Sequence, residues 1–458
     1  MKKIFALLAV VVSIFILLPL LGNQFMQEQI DERVKDLESK GLYVADEQSV
    51  SSYFTTSKHY SFVLKDAEAF VSLLNQYADR QIPPYVNAAL EGAMMGVDLS
   101  YGNFPFTKAL SVEIYPISLS QTMQEGLKRE SLSLYEQIEK ALAKKALLYH
   151  IDYELGSQNF SGYIRDISER FTLEASSEVS LALSGASFEG HGRLLAPDAL
   201  RNSIDKLSFV MQNDAQQLKL DIEKFKSSNN YDSKNTYVSS AECQKVALIT
   251  SGLDKNIHIL AQSLQANASS NTQGEYAQLS SKTSLKTLAI NLQETDLKIE
   301  EFNLDIGVDK LDKLSFLEAS KLLSKLSKMD DVVAMQAFEK SLHSLFSKGF
   351  EINIADFSLS DVLLRKSEHL GGMKLKSHIT LKEDPDFKQK LQISPLLLTQ
   401  NVDIHTKLRI SELMFFKLNA SKPLPAQMQE YIKQDGSDYV FDMDYVAGAV
   451  TINDKAVR

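Results

Sequence analysis

Eight histidines, at positions 59, 150, 191, 258, 343, 369, 378 and 405, are the first residues to test for chemistry. A zinc site needs ligands at set spacings, as in H-E-x-x-H, and none of the eight has one. Glu189 and His191 lie two apart, so on a strand they share a face and could seat a metal. A surface hydrogen bond is the commoner use of such a pair. His378 and His405 fall on the polar phase of expected strands, among Lys374, Lys376, Lys382, Lys407 and Arg409. They read first as a solvated face and second as an anion-contacting patch.

Nucleophile motifs are absent in convincing form, both G-x-S-x-G and S-x-x-K. Lys282-Thr283-Ser284 is similar to a β-lactamase K-T-G but lacks the glycine and the partner motifs. Gly190-His191-Gly192 has no phosphate-loop form. Asp152 with Glu154, and Asp442 with Asp444, are carboxylate pairs on single strand faces. Hydrolytic pairs face each other across a bond, so these read as water-facing alternation. Tyr439, Phe441 and Tyr445 read as core rather than a ligand cage. Cys243 is the only cysteine, which excludes an intrachain disulfide. Burial is the expected fate of its thiol, and an intermolecular bridge the lesser one. No catalytic, metal-binding or cofactor-binding residue is assigned. The chain reads as non-enzymatic, and a hydrolase with an unrecognised site is the third option.

The elements that carry these residues begin with Ile4 to Leu21, eighteen residues interrupted only by Ser13 and Pro19 and preceded by Lys2 and Lys3. As a helix they would cover roughly 27 Å, close to the hydrocarbon core of a bilayer. No A-x-A cleavage pattern follows, and Asn23 stands where a lipidated signal would need cysteine. The stretch reads as a retained transmembrane anchor over 1–23 rather than a cleaved signal. The lysines hold the N-terminus in the cytoplasm, so the chain after about residue 23 is expected to be exported. The net charge of −10 argues against nucleic acid.

Residues 24–41 predict a helical stalk, with Met26, Ile30, Val34 and Leu37 on one stripe and Gly41 as its end. The stripe could pair with a second copy in a homodimer; packing on its own domain is the commoner outcome. Residues 42–148 predict an N-terminal α+β region. It holds strands at 42–45, 51–55 and 60–64, and a helix from Asp66 to Tyr77. A second helical piece runs to about Met95. A strand pair at 96–101 and 109–115 follows. A capping box of Ser118 and Gln121 opens a long helix to about Leu148.

Period-two alternation dominates 149–307: Leu218, Leu220 and Ile222; Ile257, Ile259 and Ala261; Leu288, Ile290 and Leu292; Leu297 and Ile299; Leu304 and Ile306. Ser227 to Asn230 and Ser269 to Asn271 read as turns between these strands. The pattern predicts a long antiparallel β-meander with one apolar face. A C-terminal α+β region, 308–458, opens with helices over about 308–328 and 330–348. Strands return near 350–359, 373–381 and 402–410, with a short helix at 426–433 and closing strands at 439–446 and 449–452. The fold class is therefore α+β: long antiparallel sheet partly covered by amphipathic helices, behind an N-terminal transmembrane helix.

Several stretches resemble the YdgA-like family of Gram-negative envelope proteins, whose function is not established. Val97-Asp98-Leu99-Ser100-Tyr101-Gly102-Asn103-Phe104-Pro105 sits where that family has a strand ending in a His-Gly-Pro turn, with Tyr101 in place of the His and Asn103 of the Pro. Asn303-Leu304-Asp305, then Leu311, is similar to its "N-L-D" strand. Ser347 to Ile352 with Gly371-Gly372 is similar to a later strand pair. The ending from Asp438 through Gly448 to Asn453 is similar to its closing hairpin, with Asp454 in place of the last glycine. The resemblance implies an inner-membrane-anchored periplasmic protein and carries over no catalytic residue. An antiparallel sheet with one apolar face must be covered by helices, a second sheet or an apolar ligand. The expected partners are thus the bilayer through 4–21 and either a lipid or an envelope protein. Scaffolding without a lipid is the alternative.

Overall fold

The computed structural model describes residues 23–77, 82–83, 85–104, 109–174, 177–194, 196–233, 235–252, 256–292, 295–326, 332–365, 367–421 and 430–457. The expected anchor lies outside them but for Asn23. The chain divides into two compact units, one ending at Asp214 and the next starting at Ala215, within the stretch expected to be meander.

In the first unit, helix α1 spans residues 23–38. Its stripe packs at home. Met26 and Ile30 are buried with Leu42, Tyr60, Phe62, Leu64, Leu99 and Tyr101, and Val34 and Leu37 lie against them. Gly41 ends the helix at φ +93°, where a Cβ would meet the Asp66 carbonyl at 2.1 Å, so only glycine serves. Strands β1 (Leu42–Ser51) and β2 (Thr55–Leu64) form a hairpin. β2 turns Thr56, Lys58, Tyr60, Phe62 and Leu64 to this core. Lys58 is buried there. Its Nζ donates to Tyr60 Oη at 3.0 Å and Glu47 Oε1 at 3.2 Å, and lies 3.6 Å from Asp31 on α1. Burial alone would push this ammonium's pKa down; the bonds to Tyr60 and Glu47 win and raise it.

Helices α2 (Ala67–Tyr77) and α3 (Tyr85–Leu90) lead to β3 (Met94–Gly102) and β4 (Ala109–Ser118). The second helical piece therefore stops at Leu90, and Met94 and Met95 belong to β3. The expected capping box is also corrected. Ser118 ends β4, and fully buried Ser120 caps the helix, accepting from Met123 N. The long helix is two, α4 (Gln121–Glu130) and α5 (Leu132–Ala143), because Ser131 is extended and caps α5 by accepting from Leu134 N.

Six strands follow: β5 (Tyr149–Glu154), β6 (Asn159–Ile164), β7 (Ile167–Glu174), β8 (Ser177–Ser184), β9 (Ser187–Arg193) and β10 (Ala196–Gln212). β1 to β6 pair in chain order, all antiparallel. β6 then skips to β9, and β10 pairs β9 with its first half and β8 with its second. Glycines allow this crossing. A Cβ on Gly190 would meet the Phe160 ring at 2.3 Å, and one on Gly162 the Phe188 ring at 2.3 Å.

The second unit opens with β11 (Gln217–Ser233), β12 (Thr236–Ser251), β13 (Ile257–Asn271), β14 (Tyr276–Leu292) and β15 (Thr295–Asp312), an antiparallel meander in chain order. Three expectations are corrected here. Ser227–Asn230 and Ser269–Asn271 are not turns but lie within β11 and β13. Leu297 to Ile306 is one strand, not two. β15 runs on through Val308 to Asp312, so the first helix begins at Lys313. The misread turns and the split strand share a cause. The apolar phase changes in mid-strand, at Lys224, Ser263 and Glu301, which have φ of 51°, 54° and 49°. A left-handed residue breaks the pleat, so apolar residues shift from Leu297 and Ile299 to Phe302, Leu304 and Ile306 without a turn.

Helices α6 (Lys313–Leu326) and α7 (Val332–Ser347) cover one end of the meander, packing with Ala277, Leu279, Val308, Leu311 and Phe350. The remaining strands are β16 (Phe350–Leu359), β17 (Asp361–Leu364), β18 (Glu368–His369), β19 (Met373–Leu381), β20 (Val402–Ser411), β21 (Lys433–Asp435), β22 (Asp438–Val446), β23 (Ala449–Ile452) and β24 (Lys455–Ala456). β15 pairs both β16 and β17; β16, β19, β20 and β22 continue side by side. A short helix α8 (Phe387–Ile393) and a 3-10 turn (Pro395–Asn401) precede β20, and α9 (Glu412–Ser421) follows it. The expected helix at 426–433 falls mostly outside the described residues, and Lys433 begins β21.

Candidate functional site

A cluster of titratable groups surrounds His59, the one member singled out for chemistry from sequence. It lies on the face of β2–β4 opposite the α1 core. Register sets His59 beside Asp98 and Ser61 beside Gly96, and Gly96 beside Tyr115. His59 Nδ1 meets Asp98 Oδ1 at 2.5 Å and His59 Nε2 meets Ser61 Oγ at 3.1 Å. Asp98 Oδ2 accepts from Lys145 Nζ at 2.8 Å and Tyr115 Oη at 3.0 Å. Lys145 also stands 3.7 Å over the Tyr115 ring. Burial pushes the Asp98 carboxyl up; the bonds from Lys145, His59 and Tyr115 outweigh it and hold the group below the usual range.

Ser61, His59 and Asp98 thus have the connectivity of a nucleophile–base–acid chain. Two physical facts weigh against that use. Ser61, the would-be nucleophile, is the least accessible of the three, at 8 % exposure. In addition, N–H groups within a sheet lie in its plane and serve the ladder, so this face offers no oxyanion donors of backbone origin. The only sequence signal was His59-Tyr60-Ser61 alternating on a strand, which is common. Next to the cluster, His150 meets Asp152 Oδ2 at 3.1 Å and stacks on Tyr163 at 4.7 Å.

The residues flagged from sequence are dispersed. Glu189 and His191 do share a face of β9, but Glu189 pairs with Arg201 at 2.9 Å and His191 lies 3.4 Å from Asp198. Asp152 and Glu154 are exposed on β5. His378 and His405 are directly opposite each other on β19 and β20. Their surroundings are a ladder of opposite charges: His405 with Asp444, Lys407 with Asp442, Lys382 with Asp403, Lys374 with Asp356, and Arg409 with Asp435 and Asp438. Lys282 pairs with Asp305 in mid-strand, so Lys282-Thr283-Ser284 is sheet. Cys243 is buried at 5 % exposure in β12. Tyr439 and Phe441 pack on Phe415 of α9, whereas Tyr445 Oη donates to the Thr399 carbonyl. Among the described residues no three His, Cys, Asp or Glu side chains gather closely enough to hold a metal ion.

A second candidate is larger and apolar. Register aligns the aliphatic residues of the meander in rows that cross the strands. One row is Ile222, Val246, Ala261, Leu288, Ile299 and Val362. The next is Leu220, Leu248, Ile259, Ile290, Leu297 and Leu364. A third holds Leu218, Thr250, Ile257 and Leu292. Leu292 is exposed and the others are half-buried; none is taken into a fully buried core. At the β17 end, Val362 and Leu364 pack against the cluster of Leu370, Ile410, Met414 and Phe415. There α9 leaves Leu413 and Phe416 at 60 % and 50 % exposure.

No protein-family model, curated protein or solved structure matches this chain. No helix among the described residues is long and apolar enough to cross a membrane.

Proposed function

We propose that this protein binds a hydrophobic ligand, a lipid, on the apolar face of its long meander. It does so without catalysis, as a single-pass inner-membrane-anchored periplasmic protein serving the cell envelope. The observation that carries the reading is the set of two aligned aliphatic rows left half-buried across β11 to β17, with a shorter row of Leu218, Thr250, Ile257 and Leu292 beside them across β11 to β14. A contiguous apolar surface of that size is costly in water and marks an interaction site. The apolar stretch 4–21 and the family resemblance support the tether and the compartment. Scaffolding through a dimerising stalk has less support, because α1 spends Met26 and Ile30 on its own unit.

The test is native mass spectrometry of the gently extracted full chain, followed by organic extraction. Near-stoichiometric phospholipid is expected. It should be lost on Leu248→Asp and kept on Ile249→Asp, its neighbour on the other face. A lipid-free chain would end this reading, and a lipid-free dimer would favour scaffolding.

A further inference from the structure

We infer that the aromatic tip of the first unit, formed by Tyr53, Phe54 and Phe104, rests in the interface of the bilayer that holds the anchor. This rests on the proposed single-pass tether and adds a second contact with the membrane. The tip joins the turn between β1 and β2 to the end of β3. Buried Asn103 clamps the two together. Its N–H donates to the Phe54 carbonyl at 2.8 Å, its Nδ2 donates to the Ser52 carbonyl at 2.7 Å, and its Oδ1 lies 2.8 Å from Thr56 Oγ1. On this clamp Tyr53 meets Phe54 edge-on at 4.9 Å, and Phe54 stacks on Phe104 at 6.0 Å. The rings nonetheless stay at the surface, Phe54 at 63 % exposure and Tyr53 at 45 %. Aromatic side chains are among the largest sources of apolar burial, and holding them in water gives up that gain. At the boundary between headgroups and acyl chains such rings are favourably placed.

Chain position names the bilayer as the occupant. The apolar stretch ends at Leu21, and Asn23 follows two residues later, at most roughly 7 Å away even along a fully extended chain. Asn23 Oδ1 accepts from Tyr101 Oη at 2.9 Å and lies 3.1 Å from Thr56 Oγ1. These contacts fix the start of α1 at the level of Thr56. Phe54 stands two residues nearer the tip, roughly 6–7 Å further along the strand. That reach matches the depth of about 5–10 Å at which apolar side chains settle into an interface. Phe25, in the first turn of α1, adds another exposed ring at the level of Asn23. Charge agrees with this placement. Residues 23–27, 50–57 and 101–104 contain no Asp, Glu, Lys or Arg, so the tip can leave water without stranding a charge.

The chain has no tryptophan, so Phe54→Trp introduces a single reporter. The experiment reconstitutes the full chain into phosphatidylcholine vesicles, with or without bromine on the upper part of the acyl chains. The Phe54→Trp emission should be blue-shifted from that of a water-exposed indole and should fall by about half in the brominated vesicles. Tyr53→Trp should behave alike and guards against a folding defect at one position. Tyr43→Trp is the control. Tyr43 is also exposed but sits at the opposite end of β1, on the order of 30 Å from the tip, and its replacement should keep its emission. Unquenched, water-exposed emission from both tip variants, in a chain that withstands alkaline carbonate extraction, would overturn this inference and leave the tether in place. The patch would then belong to a second copy or another protein. A chain that carbonate strips from the vesicles would overturn both.

Discussion

Asp98 shows how a single side chain can be both conspicuous and structural. It accepts hydrogen bonds from His59, Lys145 and Tyr115, tying β2, β3, β4 and the segment after α5. Asp98→Asn leaves these donors poorly matched and should cost about 1–3 kcal/mol. The pH dependence has a definite sign. Because the folded carboxyl is held below its ordinary value, its contribution is present above the unfolded pKa near ~4 and is lost as pH falls through the lower folded value. Urea midpoints should therefore separate wild type from D98N at neutral pH and converge on acidification below that window. A gap that stays constant down to acid pH would refute the assignment. Ser61 makes a separate prediction. Buried on a sheet face, it should not be labelled by an alkyl fluorophosphonate; labelling that disappears in Ser61→Ala would restore the hydrolase reading.

At the scale of the element, α1 is held by Met26 and Ile30 in its own core and by Asp31 beside buried Lys58. Ile30→Ala should cost about 2–4 kcal/mol. Its unfolding midpoint should not depend on protein concentration, whereas a dimerising stalk would make it so. Ser131 ends α4 and caps α5, so Ser131→Ala should cost about 1 kcal/mol, read from thermal denaturation. The long strands carry a sequence lesson. Alternation in Leu218 to Ile222 and Leu297 to Ile299 was legible as strand from residue order alone. The unity of β11 and β15 was not, because a phase change at Lys224 and Glu301 looks in one dimension like a turn. Ser227 to Asn230 compounds the error: these small polar residues are ordinary turn formers, here carried by pairing to β12.

For the molecule as a whole, the two units treat apolar surface differently. The first unit fully buries large side chains such as Tyr60 and Leu148; among the described residues of the second, none larger than serine is as fully buried. The meander's aliphatic rows instead stay at the surface of a sheet. Native protein should accordingly bind the dye ANS at neutral pH without unfolding. The triple substitution Leu220→Gln, Ile259→Gln and Ile290→Gln should cut that fluorescence severalfold while the far-UV dichroism of the sheet persists. Unchanged fluorescence would place the dye, and the exposed apolar surface, elsewhere.

Residue order by itself determined the local properties: the antiparallel β-rich class, the apolar stripe of α1, most strand positions, and the absence of any intrachain disulfide. These follow from periods of two and 3.6 and from composition, which act over a few residues. The tertiary structure decided which distant strands meet. It set His59 against Asp98, skipped β6 to β9, paired His378 with His405, and brought aliphatic residues from six strands into line. Register across a sheet depends on every strand between two residues. A cluster or a face assembled from separate strands therefore has no signature in any one of them.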